Sequence, residues 1–282
     1  MVASPTASGP SSELGALLRH WRDLRGRSQL DLSLEMGASQ RYLSFIESGR
    51  SQPSRRKLLD IADALDIPLR ERNTLLLAAG YAPIYADSGW EAPEMQGVTA
   101  ALQRMLRQQE PFPALVMDRY WNVVMTNDAA PRFFGAFVDL AAWPTPRNLL
   151  HLMFDPAGMR PFIADWPAVS RSLIARVRRE AVGRVIDGNT QDLLAGLQAH
   201  PDVESDGAPP DIAAALPIIP LGFVRGGQAL NYFSMVSTVG TPQAVAAQEL
   251  RLECMFPADE ATERRHLDLM RALAETSSNA RH

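Results

Sequence analysis

Between Ser39 and Lys57 the chain carries Arg41, Arg50, Arg55, Arg56 and Lys57 against one acidic residue, Glu47. A local excess of four positive charges suits a polyanion, because each cation that meets a phosphate releases a condensed counterion. Gln40 and Arg41 stand side by side there. An amide can pair with two atoms of adenine and a guanidinium with two of guanine, so this pair suits the reading of base edges. The chemistry of turnover is poorly supplied by comparison. The sequence has no G-x-S-x-G elbow, no phosphate-binding Gly-rich loop, no G-x-G-x-x-G and no H-E-x-x-H. His20, His151, His200, His266 and His282 lie at no helical ligand spacing, and Cys254 is the only cysteine. Neither a metal site, a disulfide nor a cofactor is expected, and the chain is not expected to be an enzyme.

The elements that must position the basic segment are short helices. Leu14, Leu17, Leu18, Trp21 and Leu24 form one apolar stripe of a first helix. Ser28 and Asp31 have the spacing of a capping box at the start of a second, Gln29 to Met36. Gly37, Ala38 and Ser39 then make a three-residue turn, and Ser39 caps a third helix, Gln40 to Glu47. A fourth, with Leu58, Ile61, Ala62 and Leu65 inward, and a fifth running to Ala79 complete the set. Residues 1–82 hold 11 basic and 9 acidic side chains, and residues 83–282 hold 17 and 23, so two parts of opposite charge are joined.

The stretches Arg25 to Leu32 (RGRSQLDL), Met36 to Arg50 (MGASQRYLSFIESGR) and Gln52 to Ser54 (QPS) resemble phage-repressor helix-turn-helix domains of the Cro/CI or XRE type. Ser33 departs from the Ala usual at its position. The resemblance implies that Gln29 grips a phosphate, that Gln40, Arg41, Ser44 and Phe45 meet base edges beside Ser39, and that Arg50 grips the backbone after the reading helix. It also implies that Arg22 and Glu47 form an internal salt bridge. A palindromic double-stranded operator and a homodimer follow as expectations, since one reading helix covers few base pairs. The alternative for this part is a five-helix protein-binding adaptor.

Beyond Gly80, Tyr81 to Gly97 has the Pro, Gly and Trp content of a connector. A helix is expected near Val98 to Gln109. Ala114 to Met117 and Trp121 to Thr126 read as a β-hairpin. Helical material fills Asp128 to His200, most plainly Pro167 to Arg184, where Val169, Leu173, Val177 and Ala181 recur and Arg171, Arg176, Arg178 and Arg179 are expected to face water. Strands return at Ile218 to Val224, Leu230 to Val239 and Glu249 to Phe256. In the last, Leu250, Leu252, Cys254 and Phe256 are expected inward and Glu249, Arg251, Glu253 and Met255 outward.

The fold class is thus multi-domain, α and α+β: an N-terminal five-helix helix-turn-helix domain and a C-terminal PAS-like five-stranded antiparallel sheet with helices. The boundaries are a disordered tail at 1–12, the helix-turn-helix domain at 13–82, a connector at 83–97, the PAS-like domain at 98–275 and a C-terminal tail at 276–282.

Glu71 to Pro83 (ERNTLLLAAGYAP), Asn148 to Pro161 (NLLHLMFDPAGMRP), and Gly240 to Gln243 (GTPQ) through Leu252 to Thr262 (LECMFPADEAT) resemble the MmyB-like family of transcription regulators. That resemblance implies a sensor of a small apolar ligand, with fatty acids as the type. Trp121, Phe133, Phe137, Met153, Phe154, Phe233 and Met235 are the side chains that would line its pocket or fill a core, and Arg160 is the expected partner of a ligand carboxylate. An enzyme fused to a DNA-binding domain is the remaining alternative. With 46% hydrophobic and 21% charged residues, no apolar run long enough to span a bilayer and no secretory leader pattern, a cytoplasmic protein without a membrane partner is expected.

Overall fold

The computed structural model describes residues 10–184, 186–200, 202–203 and 221–279. They form two compact units, one comprising the described residues up to Gly89 with Thr241–Gln248, the other Trp90–Gly240 and Glu249 onward. Thr241–Gln248 was expected within the second domain. Among the described residues no helix is long and apolar enough to cross a membrane.

In the first unit, α1 (Pro10–Leu24), α2 (Gln29–Glu35), α3 (Gln40–Glu47), α4 (Arg55–Ala64) and α5 (Leu69–Ala78) follow one another through short turns. α1 takes in residues expected in the N-terminal tail; positions 1–9 of that tail lie outside the described residues. Its Leu14, Leu18 and Trp21 are buried, while Leu24 at the end of the stripe is exposed. The starts of α2, α3 and α4 are fixed locally by serine caps. The Ser28 hydroxyl accepts the Asp31 N–H at 3.1 Å, and the Asp31 carboxylate accepts the Ser28 N–H at 2.9 Å, two free donors satisfied at once. Ser39 and Ser54 cap α3 and α4. Gly37, at a φ of 59°, makes the left-handed turn between α2 and α3 that a side chain would resist.

What locks α3 is charge and close approach. Glu47 is buried and accepts from Arg22 Nε at 2.7 Å, Arg22 Nη2 at 3.2 Å and Gln29 Nε2 at 2.9 Å, joining α1, α2 and α3. Burial alone would raise its carboxyl, but the hydrogen bonds of Arg22 and Gln29 and the charges of Arg22 and Arg19 outweigh that and hold it below its ordinary value. Beside it the helices nearly touch: a Cβ on Gly15 would lie 2.3 Å from the Glu47 carbonyl oxygen.

The second unit opens with α6 (Gln96–Gln108), followed by the hairpin β1 (Ala114–Met117) and β2 (Val123–Thr126). β2 starts later than expected because Trp121 takes a left-handed φ of 69° in the turn. Then come α7 (Ala129–Gly135), α8 (Leu149–Phe154), α9 (Trp166–Glu180) and α10 (Gly188–Gln198). α9 ends at Glu180 rather than continuing to Arg184: Ala181 turns out of the helix at a ψ of 130°, and Gly183 beyond it is left-handed at a φ of 62°. β3 (Leu221–Arg225) and β4 (Gln228–Thr238) join at Gly226 and Gly227, both of positive φ. The expected strand positions 218–220 lie outside the described residues. After α11 (Val245–Glu249), β5 (Arg251–Pro257) and α12 (Glu260–Asn279) finish the chain, so helix occupies the start of the expected C-terminal tail.

The five strands are antiparallel neighbours in the order β2-β1-β5-β4-β3. β5 is central, and it corrects the expected alternation: Arg251, Glu253 and Met255 are buried as well as Leu252, while Cys254 is only half-buried. A strand covered on both faces has no outward row, and its charges are taken up by partners described below. Burial pushes the Cys254 thiol up, which suits packing rather than attack.

Two outcomes test the first unit. Gly15→Ala should destabilise it by about 1–3 kcal/mol despite the better helix propensity of Ala, seen as faster amide exchange over α1 and α3. Glu47→Gln should cost roughly 1.5–3 kcal/mol at neutral pH. Because folding depresses the Glu47 pKa, the stability it adds is present above its ordinary value of 4.5 and is lost as pH falls through the folded value, so the gap between wild type and variant in urea unfolding should close in acid.

Candidate functional site

The first candidate surface is the exposed side of α3. Leu43 and Ile46 anchor the helix in the core, which leaves Gln40 and Arg41 exposed and Ser44 and Phe45 half-buried. The Phe45 ring is approached by two guanidinium groups, Arg41 at 5.1 Å and Arg50 at 4.5 Å from its centre. The ring thereby holds two cations along one edge of the helix. Arg50 Nε also donates to the Ser48 hydroxyl at 2.9 Å. Ser39 accepts the Tyr42 N–H at 3.2 Å, so its hydroxyl is engaged as a cap. Gln29 stands at the first position of α2 and spends one amide N–H on Glu47. These seven residues therefore divide into exposed polar ends, a ring that orients cations, and groups already used to fix α2 and α3.

The second candidate is a cavity of about 560 Å³ within the second unit. Its walls come from α7, α8 and α9 and from the sheet; Phe134, Leu150, Met153, Leu173, Tyr232 and Met255 are among its apolar lining. Of the side chains expected to bind a ligand, Trp121, Met153 and Phe233 line it. Phe133 and Phe154 are fully buried core residues, and Phe137 packs edge-on against Phe133 and Phe162. Met235 is exposed at 59%. Arg160 pairs with Asp202 and lies over the Trp166 ring, away from the residues that line the cavity.

The polar residues that do line it are Ser172, Arg176, Arg179, Glu180, Ser234 and Glu253. Arg176 was expected in water but faces inward. It donates to Glu253 at 2.8 and 3.0 Å and to Glu180 at 2.7 Å, and sits 4.8 Å from the centre of the Trp121 ring. Burial works against its charge, yet Glu253 and Glu180 more than restore it and raise its pKa above the ordinary value. Arg251 also lies over the Trp121 ring, 4.8 Å from its centre, and reaches Glu180 at 3.4 Å. One sequence signal pointed inward: Val169, Leu173 and Arg176 follow the i, i+4, i+7 spacing of a helix face. The partner Glu253 had no such signal, because a charge on a strand reads as an outward residue.

Trp121 is held from every side. Its N–H donates to the Asp118 carbonyl at 3.1 Å, and its carbonyl accepts the Leu149 N–H at the start of α8 at 3.0 Å. Asp118 accepts in turn from the N–H groups of Tyr120 and Asn122, so it shapes the turn and is engaged in doing so. Deeper in the core the Tyr232 hydroxyl donates to His266 Nδ1 at 2.7 Å, and His266 Nε2–H donates to the Pro111 carbonyl at 2.9 Å. Burial holds this imidazole below its ordinary pKa, although the Pro111 carbonyl works the other way, and it serves as a neutral strut.

Comparison with known proteins follows the same division. Solved structures similar to this chain include the clp gene regulator ClgR from C. glutamicum, at 30% identity over 27% of this chain and 96% of that one, with a TM-score of 0.24. Another is the restriction-modification controller protein C.AhdI from Aeromonas hydrophila, at 34% identity over 22% and 92%, with a TM-score of 0.21. No curated protein matches. Residues 18–72 match the helix-turn-helix family model, which contains the whole of α2 and α3. Residues 98–269 match the ligand-binding domain of MmyB-like transcription regulators, and that span contains every residue of the cavity wall. A helix-turn-helix unit followed by this ligand-binding domain places the chain in the family of MmyB-like transcription regulators.

Proposed function

We propose that the chain regulates transcription by reading a palindromic operator as a homodimer, and that an apolar, fatty-acid-like ligand in the second unit controls that reading. The observation that carries the ligand part is the cavity of about 560 Å³, apolar over most of its wall and polar at a few converging groups. Burial of each methylene contributes about 0.8 kcal/mol, so an acyl chain is the economical occupant of such a wall. The strand order β2-β1-β5-β4-β3 supports reading the sheet as PAS-like. We take the unit to act by binding and not by turnover, a reading supported by its match to a ligand-binding domain and by the ion pairs that engage Glu180 and Glu253 in its cavity wall. The need to reach DNA supports a cytoplasmic location.

On the DNA side, Gln40 and Arg41 are the base readers in this proposal, with Ser44 and the edge of Phe45 beside them. Gln29 and Arg50 hold phosphates, and Ser39 keeps the helix start in register. Exposure of Gln40 and Arg41 at the first turn of α3 supports this, because the start of a reading helix is the part that enters the major groove.

Arg41→Ala should weaken binding to the selected operator by about 1–3 kcal/mol and relax base choice, while Gln29→Ala weakens all sequences alike. Affinity measured by anisotropy on operator and on random duplex separates the two; equal losses on both duplexes for Arg41→Ala would remove it from the reading set. Sedimentation of the complex should give two chains per operator, and one chain per site would refute the dimer. A protein that shifts no DNA drawn from a random pool would favour the adaptor alternative.

A further inference from the structure

The hydrogen-bonding direction along β4 is fixed by its turn. Arg225 and Gln228 pair across the two-residue loop Gly226-Gly227, so Gln228, Leu230 and Tyr232 turn their N–H and C=O groups toward β3. The odd positions face the other way: the Asn231 N–H donates to the Thr262 hydroxyl at 3.1 Å, and the Asn231 carbonyl accepts the Ala258 N–H at 2.8 Å. Alternation carries the row that faces β3 on to Ser234, Val236 and Thr238. β3, however, starts at Leu221 opposite Tyr232, and among the described residues no strand pairs with β4 beyond that point on this side.

Elsewhere the rim of the sheet is met by other parts of the unit. Val123 of β2 donates its N–H to the Arg147 carbonyl at 2.8 Å, and the Gly222 carbonyl on the outer side of β3 accepts the Ala164 N–H at 2.9 Å. All five residues of Ser234–Thr238 are instead exposed, Met235 at 59% and Val236 at 38%. They include no charge, no proline and no glycine, the devices that keep an open edge from pairing.

We propose that this edge pairs with a second copy of the chain, β4 running antiparallel to its own counterpart about a two-fold axis through Val236. An antiparallel pair of identical strands is two-fold symmetric, so the edge is its own complement. In this register Val236 meets Val236 of the second copy. Ser234 meets Thr238, hydroxyl beside hydroxyl, and Met235 meets Ser237 on the opposite face, so no like charges are opposed. About six backbone hydrogen bonds form, and the register uses the five open positions and stops where β3 begins. The inference rests on the homodimer reading and gives it an interface within the second unit.

The test uses the full chain carrying Cys254→Ser. Ser234→Cys and Thr238→Cys chains, mixed and treated with oxidised glutathione, should form a mixed disulfide dimer, since paired Cα atoms in this register lie about 5.5 Å apart. Neither variant should cross-link alone, because its two cysteines are then offset by about 14 Å along the strands at about 3.4 Å per residue. Val236→Pro removes the central outward N–H and keeps the ladder to β5, so in sedimentation equilibrium it should raise the dissociation constant of the dimer at least about tenfold, with circular dichroism unchanged. The disulfide decides if the proline variant does not fold. Absence of the mixed disulfide, a folded Val236→Pro chain that associates as wild type does, or a wild type that stays monomeric at about 100 μM overturns the interface and leaves the edge to a strand of another protein. Two chains per operator would then keep the homodimer reading, whereas one chain per operator would end both.

Discussion

A carboxylate taken out of water must be met by a cation and by hydrogen bonds, and both units are arranged around that demand. In the first, Glu47 lies where α1, α2 and α3 meet. Arg22 reaches it from α1 and Gln29 from α2, and the Arg19 guanidinium takes its carbonyl oxygen at 3.1 Å. Removing one partner of such a group typically costs about 3–5 kcal/mol where burial is complete, far more than the pair is worth against an apolar substitute. The arrangement is thus a poor source of stability and a strict source of geometry. It fixes the rotation of α3 about its own axis, and that rotation decides which side chains reach outward.

The second unit uses the same device in a different place. Glu253 is on the central strand, and Arg176 comes to it from α9, so the pair sets where that helix lies over the sheet. Trp121 is part of the same assembly. A bulky residue at a φ of 69° stores strain of order 1–3 kcal/mol, and it persists only when its surroundings determine it several times over. Here two backbone hydrogen bonds and two neighbouring guanidinium groups do so. A stiff ring then walls one side of the cavity.

The first unit was largely legible in the sequence, and the reason is range. Its caps, its three-residue turn and its helix faces are set by residues within four positions of one another, as with Ser28 and Asp31 or Gly37 and Ser39. In the second unit the strands were legible but their environments were not. Glu253 and Arg176 are 77 positions apart, so nothing local told that a charged row of β5 faced a buried guanidinium. The same limit applied to the aromatic supply. Phe133 and Phe154 are in the core, Met235 is in water and Met153 is at the cavity, though all four are plain apolar residues in sequence. Arg160, the expected partner of a ligand carboxylate, is instead paired with Asp202, 42 positions away.

These placements bear on how a bound ligand could alter DNA reading. Tight binding shifts nothing by itself; a ligand moves an equilibrium only by the difference in its affinity for two states. A ligand that reaches the charged end of the cavity meets Arg176, and Arg176 is bonded to β5. The segment directly before β5, Thr241–Gln248, groups with the first unit, where the Gln248 side chain accepts the Leu69 N–H at the start of α5 at 2.8 Å and the Val245 N–H donates to the Ala86 carbonyl at 2.9 Å. The chain thus passes directly from a segment held by the first unit into β5. A ligand confined to the aliphatic part of the wall would leave Arg176 and Glu253 as they are, and binding there would add affinity without a difference between states.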